Sequence, residues 1–364
     1  MSLSIGIVGL PNVGKSTLFN ALTDSTVLAA NYPFATIEPN TGIVPVPDAR
    51  LNALSELYHG APIKPATVTF VDIAGLVKGA SEGEGLGNQF LAHIRACNAI
   101  VQVVRAFEDP NVLTDDKTGT HDPAKDIEII NTELVLADLQ TVAKRLPKLE
   151  KESKANPKLT TQLEILQHIQ AILDDGKPIF SDAGLLAAAS EFNDLFLLTA
   201  KPIIYLFNVD EAGLGNAELH KNLSDLVAPA SALFVCAKLE DELRSLDGPD
   251  RAELLESYGI TEPGLNQLIH AAYATLGLQS YLTAGDKEVR AWTINAGSTA
   301  PQAAGVIHGD FERGFIAAEV VDYDDLIATG SLSAARSAGK LRTEGKTYVM
   351  RPGDVVEFRF NVSK

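Results

Sequence analysis

The segment Gly9-Leu10-Pro11-Asn12-Val13-Gly14-Lys15-Ser16 follows directly on the apolar run Leu3 to Val8, and a helical pattern, Thr17 to Leu22, follows it. Together they form the G-x-x-x-x-G-K-[ST] pattern in its strand, loop and helix setting, which leaves few folds open. Glycines let the backbone wrap round a phosphate, so that successive N–H groups and the next helix's N-terminus face its negative charge. A lysine after the second glycine reaches the β- and γ-phosphates, and the following hydroxyl can ligate Mg²⁺. The expected phosphate-binding residues are Asn12, Val13, Gly14, Lys15, Ser16 and Thr17, with Lys15 also acting on the transferred phosphoryl group and Ser16 on the metal.

Short β-rich runs recur at Ser4 to Val8, Thr67 to Val71, Ala99 to Val104, Ile203 to Phe207 and Ala232 to Cys236, separated by helical or loop material. That is the rhythm of an α/β fold with a mostly parallel sheet. The third and fourth runs lie about 95 residues apart, several times what one crossover helix needs, so the interval holds an insertion. Within it Ile127, Ile130, Leu134, Leu136, Leu139, Val142 and Leu146 recur at helical spacing, Asn156-Pro157 breaks the run, and Leu163, Ile165, Leu166, Ile169 and Leu173 resume it. This predicts an antiparallel helical hairpin, of coiled-coil type, with a packed helical lobe as the competing arrangement. Past Leu276 the pattern changes to short β runs with Gly-rich turns, which predicts a small separate domain at the end. The expected boundaries are residues 1–124 and 201–278 for the nucleotide-binding domain, 125–200 for the helical insertion and 279–364 for the last domain.

Three further segments bear on chemistry. Asp72-Ile73-Ala74-Gly75 ends a strand downstream of the phosphate loop, where the aspartate of a D-x-x-G motif supports Mg²⁺ and the glycine amide senses the γ-phosphate. Thr36 stands where a first switch threonine could join metal and γ-phosphate, with Thr41 as fallback. Leu76 occupies the place of a water-orienting glutamine and cannot do that work, so hydrolysis is slow or assisted from elsewhere. Asn12 is a residue type that could help hold K⁺ there, and equally one that hydrogen-bonds its own loop. After Ile203 to Phe207, guanine-specific proteins carry Asn-Lys-x-Asp, whereas this chain reads Asn208-Val209-Asp210-Glu211. The lysine is replaced by Val209 and the base-reading carboxylate, Glu211, is one methylene longer, which removes the discrimination against adenine. Cys236-Ala237-Lys238 falls at the last base-contacting loop. Asn208, Val209, Glu211, Cys236, Ala237 and Lys238 are therefore the expected base-binding set.

A net charge of −17 argues against indiscriminate binding of nucleic acid through overall charge. Two local basic patches remain: Lys144, Arg145, Lys148, Lys151, Lys154 and Lys158 in the insertion, and Arg336, Lys340, Arg342, Lys346 and Arg351 near the end. Each reads either as a solvated face balanced by interleaved acids or as an RNA contact. No apolar stretch approaches the roughly 20 residues of a membrane helix, so neither membrane insertion nor secretion is expected, and the cytoplasm is the expected compartment. Cys97 and Cys236 lack metal-site spacing and fit reduced, buried thiols.

Taken together, Gly9 to Thr17, Asn31-Tyr32-Pro33-Phe34-Ala35-Thr36, Asp72 to Ala80 and Asn208-Val209-Asp210-Glu211 resemble the YchF subfamily of the Obg-related P-loop NTPases. Asn131-Thr132-Glu133-Leu134 and the segment Ala300 to His308 carry the resemblance across nearly the whole chain. It implies a G-domain with a helical insertion and a β-grasp-like TGS domain at the C-terminus. It further implies preference for ATP over GTP, slow hydrolysis, and association with the ribosome, either its large subunit or the whole particle. Members of the subfamily often place a histidine before the helical insertion in lieu of the missing glutamine. Counting back from Pro123 puts Asp116 at that position, and His121 is the nearest histidine, hence the candidate catalytic side chain. Two other readings stay open: a GTPase in which Glu211 still captures guanine, and a ribosome- or RNA-binding adaptor for which nucleotide is a stabilising ligand.

Overall fold

A computed structural model describes residues 3–24, 40–74, 86–108 and 121–361. Its strands, in chain order, are β1 (Ser4–Gly9), β2 (Thr41–Pro45), β3 (Ile63–Lys64), β4 (Thr67–Asp72), β5 (Ala99–Ala106), β6 (Ile203–Val209), β7 (Ser231–Val235), β8 (Leu278–Gly285), β9 (Glu288–Asn295), β10 (Phe315–Asp322), β11 (Arg342–Glu344) and β12 (Asp354–Phe360). The chain divides into two compact units, Met1–Val44 with Thr69–Leu268, and Pro45–Val68 with Ile269–Lys364.

The first unit is built on a sheet of order β2-β4-β1-β5-β6-β7. β1 runs parallel to β4 and β5, β5 to β6, and β6 to β7. All seven positions of β6 are buried, and β1 is buried from Ile5 to Gly9. Both faces of such strands are covered, so the sequence shows continuous apolar runs in place of alternation. Parallel pairing has a further effect: the C-terminal ends of β1, β4, β5, β6 and β7 emerge on one edge of the sheet, where ligands of open α/β sheets bind.

Between β5 and β6 the insertion begins with the helix Pro123–Ala155. Asp122 caps it by accepting from Ala124 N, and Pro123 supplies the fixed φ of a first helical residue. Asn156 and Pro157 end it, and the chain returns as Thr160–Asp174. Val135, Val142 and Leu149 pack with Leu166, Ile169 and Leu173 along the seam. Full burial of each such side chain contributes about 2 kcal/mol. The predicted hairpin is therefore present, and the lobe reading also has a share, because Ile179, Leu185, Ala189, Phe192 and Leu197 close over the same core. Asp138 ties this lobe to the strand that follows. Its buried carboxylate accepts from Leu198 N and Thr199 N, each at 2.8 Å, and from Thr199 Oγ1 at 2.7 Å, just before β6.

The second unit has a sheet of order β11-β10-β12-β8-β9-β3. β8 and β9 form an antiparallel hairpin, the helix Ala300–Ile307 follows, and β12 returns parallel to β8. That is the β-grasp arrangement. Its core gathers Tyr281, Ile294, Ala303, Phe315, Val320 and Val356, and the Tyr281 hydroxyl donates to Ala303 O at 3.0 Å. Residues 45–68 count with this unit, although the sequence pattern assigns them to the nucleotide domain. The reason is β3, which pairs with β9 through Ile63↔Val289 and receives Val289 N on Pro62 O at 2.9 Å. A two-residue strand leaves no periodicity to read. Among the described residues no helix is long and apolar enough to cross a membrane.

Candidate functional site

The phosphate loop leaves β1 and turns into the helix Lys15–Asp24 with Asn12 at φ 63° and Gly14 at φ 90°. Those left-handed angles turn the chain back over the helix N-terminus. Gly14 is fixed twice over, since any Cβ there would collide with Asn208 Nδ2. Val13 points inward and is buried, whereas Ser16 and Thr17 on the first helical turn are exposed. Lys15 Nζ forms an ion pair with Asp72 Oδ1 at the end of β4. The structure thus brings together the two charged residues that the sequence assigns to phosphate and metal from separate motifs.

Asn208 joins the phosphate end to the base end. Its buried side chain donates from Nδ2 to Val13 O at 3.0 Å and accepts at Oδ1 from Ala237 N at 3.0 Å. Both faces of the carboxamide are used, so Asn208 holds the first and last loops in register. Val209, expected to line the base site, is 2% exposed. Its side chain packs with the apolar core beneath the turn at Gly213. Glu211 opens the short helix Glu211–Leu214, which Asp210 caps through Gly213 N at 2.8 Å. Glu211 Oε1 receives Lys238 Nζ at 2.8 Å and Oε2 receives the Tyr258 hydroxyl at 3.3 Å. The Lys238 hydrogen bond and charge hold the Glu211 carboxyl below the ordinary carboxylate range, and Glu211 in turn raises Lys238. Cys236 precedes the helix Ala237–Arg244, and burial pushes its thiol up.

A cavity of about 810 Å³ is lined by Gly14 and Thr17 of the phosphate loop and its helix, and by Asn208, Val209, Glu211, Cys236, Ala237 and Lys238, the whole expected base-binding set. Phe107, Glu108, Asp241 and Glu242 line it too, and sequence reasoning missed all four. Phe107 follows β5, and its ring lies under the Arg105 guanidinium, 4.7 Å from centroid to carbon. Its only advance signal is position, because β5 ends on the same edge as the motif-bearing strands.

His121 is not in the lining of this cavity. Its Nε2 is 2.7 Å from Arg105 O and 3.4 Å from Asp126 Oδ2, at the start of the long helix. Burial, outweighing the neighbouring His121, raises the Asp126 carboxyl above its ordinary value. Thr36, Gly75, Leu76 and Asp116 lie outside the described residues. Thr41, the fallback, begins β2, and the preceding Asn40 accepts Asp72 N at 2.8 Å. Among the described residues no group of three or more His, Cys, Asp or Glu side chains could hold a metal ion. Cys97 and Cys236 are both free and buried, as their spacing suggests.

Comparison with known proteins agrees with this geometry. Residues 278–361 match the YchF-GTPase C-terminal family, described as a protein of unknown function, and residues 4–145 match the family described as 50S ribosome-binding GTPase. The "Ribosome-binding ATPase YchF" of Bacillus subtilis is 50% identical over 368 residues, covering 100% of each chain. The protein of the same name from Haemophilus influenzae is also 50% identical over 368 residues, again covering 100% of each. Among solved structures, the YchF GTPase of Schizosaccharomyces pombe superposes with a TM-score of 0.86 at 39% identity, covering 98% of each chain.

Proposed function

The chain belongs to the YchF family, and from that premise we propose that it is a Mg²⁺-dependent ATPase that prefers ATP to GTP and links nucleotide state to ribosome association. The observation that carries the base preference is the occupied carboxylate of Glu211. Guanine is read by a carboxylate that accepts from its N1–H and 2-amino group, and both Glu211 oxygens already accept, from Lys238 and Tyr258. Adenine lacks those two donors, so its binding does not call on a free Glu211 oxygen. Buried Val209 also withholds the lysine stem on which guanine would rest.

Lys15 and the loop amides stabilise charge on the transferred phosphoryl group, and the N-terminus of the helix Lys15–Asp24 adds its dipole. The exposed Ser16 hydroxyl and the Asp72 carboxylate are hard oxygen donors that suit Mg²⁺, which characteristically takes few protein ligands and completes its shell with phosphate and water. When bound, the ion neutralises charge across the β- and γ-phosphates. Asn12 would be the side chain to help hold K⁺. Thr36 and the Gly75 amide report the γ-phosphate, and Leu76 leaves the attacking water unoriented, so turnover is slow. The γ-phosphate changes the surface offered to the ribosome, in the cytoplasm, through its large subunit or the whole particle.

Calorimetry with ATP and GTP, each with Mg²⁺ at fixed K⁺, tests the base preference. ATP binding at least about tenfold tighter, about 1.4 kcal/mol, is expected. Equal or tighter GTP binding would overturn the preference and leave a GTPase, which is how the S. pombe relative is titled.

A further inference from the structure

Within the second unit the sheet is not closed. β8 pairs with β9 from Leu278↔Asn295 to Gly285↔Glu288, and β12 pairs with β10 from Asp322↔Asp354 to Phe315↔Phe360. Between β8 and β12 themselves the ladder has one register pair among the described residues, Val355↔Leu282. Past it both strands continue, each held on its outer side. Their facing edges, residues 283–285 and 356–358, line a cavity of about 400 Å³. Backbone N–H and C=O groups that point across the gap therefore lack the partner a continuous sheet supplies.

The lining shows the same opening, because it draws on both faces of the sheet. Ile307, Phe311 and Phe358 belong to the apolar face and pack against the core. Glu319 lines the cavity from the other face: it lies between Ala318 and Val320, whose side chains enter that core, and strand alternation turns it the opposite way. Glu357 is its register partner and shares that face. Charge there is uneven. Glu319 is neutralised by Arg336 at 3.2 Å and by Arg359, and Glu288 by Lys64 at 2.6 Å. Asp286 and Glu357 are exposed and have neither ion pair nor hydrogen bond among the described residues, which leaves two acids of the lining against one such base, Lys287. Burial pushes the Tyr58 hydroxyl up and both carboxylates push it further, so the two stand near the same ring.

We propose that the gap between β8 and β12 is a docking site for an extended peptide segment of a partner protein, one that alternates apolar with basic residues. This goes beyond the nucleotide chemistry above and does not rest on it. An extended chain offers N–H and C=O groups to both sides and sends successive side chains to opposite faces. Its apolar side chains meet Ile307, Phe311 and Phe358, and its Lys or Arg side chains meet Asp286 and Glu357. Three residues on each edge admit about four of peptide. Nucleic acid does not suit this gap, since its phosphates would face two unneutralised carboxylates.

The test is fluorescence anisotropy of a labelled hexapeptide of alternating valine and lysine, titrated with the full chain at low salt. Saturable binding is expected. Asp286→Asn together with Glu357→Gln should weaken it by about fivefold or more, with unchanged ATP affinity as the folding control. Methylating the backbone nitrogens of the peptide should abolish binding, which a peptide held by its side chains alone would keep. A valine–glutamate hexapeptide should not bind. Absence of saturable binding would overturn the proposal, as would equal binding by the double variant, by the methylated peptide or by the glutamate peptide. Sedimentation equilibrium addresses another occupant. A wild-type dimer that dissociates in the double variant would assign the gap to a second copy of this chain and overturn the partner segment, whereas equal mass of the two supports it.

Discussion

Glu211 Oε1 lies 2.8 Å from Lys238 Nζ, so the acid of one loop lining the cavity is neutralised by the base of the next. Their side chains are 38% and 72% exposed, and exposed pairs contribute little to stability. The pair therefore bears on selectivity. Lys238→Met frees one Glu211 oxygen to meet guanine, and the ATP-over-GTP ratio should shrink by about threefold or more with melting temperature unchanged. Displacement of a fluorescent ATP analogue by each nucleotide measures it; an unaltered ratio would show that the base is read by backbone alone.

At the phosphate end, Lys15→Ala and Ser16→Asn should each lower Mg·ATP affinity or turnover by about a hundredfold. Equilibrium dialysis and phosphate release measure the two. Unimpaired binding together with unimpaired turnover in both variants would remove the loop from function.

Asp138 is expected to matter for folding and not for nucleotide. Asp138→Ala strands the buried Leu198 and Thr199 amides, at about 1–3 kcal/mol each, so unfolding free energy should fall by about 2–6 kcal/mol while ATP affinity holds. Burial, outweighing its three hydrogen bonds, pushes this carboxyl up. A carboxyl raised in the native state favours folding most at pH below its ordinary value, and that contribution fades as pH rises to the native value. Stability of wild type minus Asp138→Asn should accordingly decline as pH rises from about 4. A flat difference would contradict the raised value.

His121→Ala should leave ATP hydrolysis within about twofold of wild type, because Nε2 is committed to Arg105 O at 2.7 Å and Asp126 at 3.4 Å. A drop of tenfold or more in single-turnover rate would return the imidazole to the chemistry.

Burial raises the thiols of both Cys97 and Cys236. Since the thiolate is the reactive form, iodoacetamide at pH 8 should modify neither in the native chain and both in denaturant. Rapid native labelling of Cys236 would mean that the helix it precedes opens readily.

Much of this architecture is legible in the sequence, and the reason is physical. Strands such as β6, buried at all seven positions, must be written as apolar runs, and a phosphate loop must place Gly14 where φ is 90° and Asn208 leaves no room for a Cβ. Constraints of that kind leave one residue type. The lobe closing over the hairpin is harder to see, because Phe192 sits in the short, kinked 3₁₀ segment Ser190–Leu195 and Leu197 in the link after it, neither long enough to show a period. Phe107 carries no motif, since any side chain after β5 on that edge would line the cavity. Val209 lines the cavity and yet is only 2% exposed, and a position in Asn-x-x-Glu does not say that most of its side chain packs into the core.

Asn208 spends both ends of one carboxamide on backbone, at Val13 and at Ala237, and none of it on distinguishing one base from another. On the reading proposed above, Glu211 and Lys238 choose the base, and they hang on a joint that does not choose. Descendants of such a chain can exchange one purine for the other by surface substitutions and keep their grip on phosphate, whereas a change at position 208 loosens both ends at once. On that reading, nucleotide preference in this architecture is free to drift, and triphosphate binding is not.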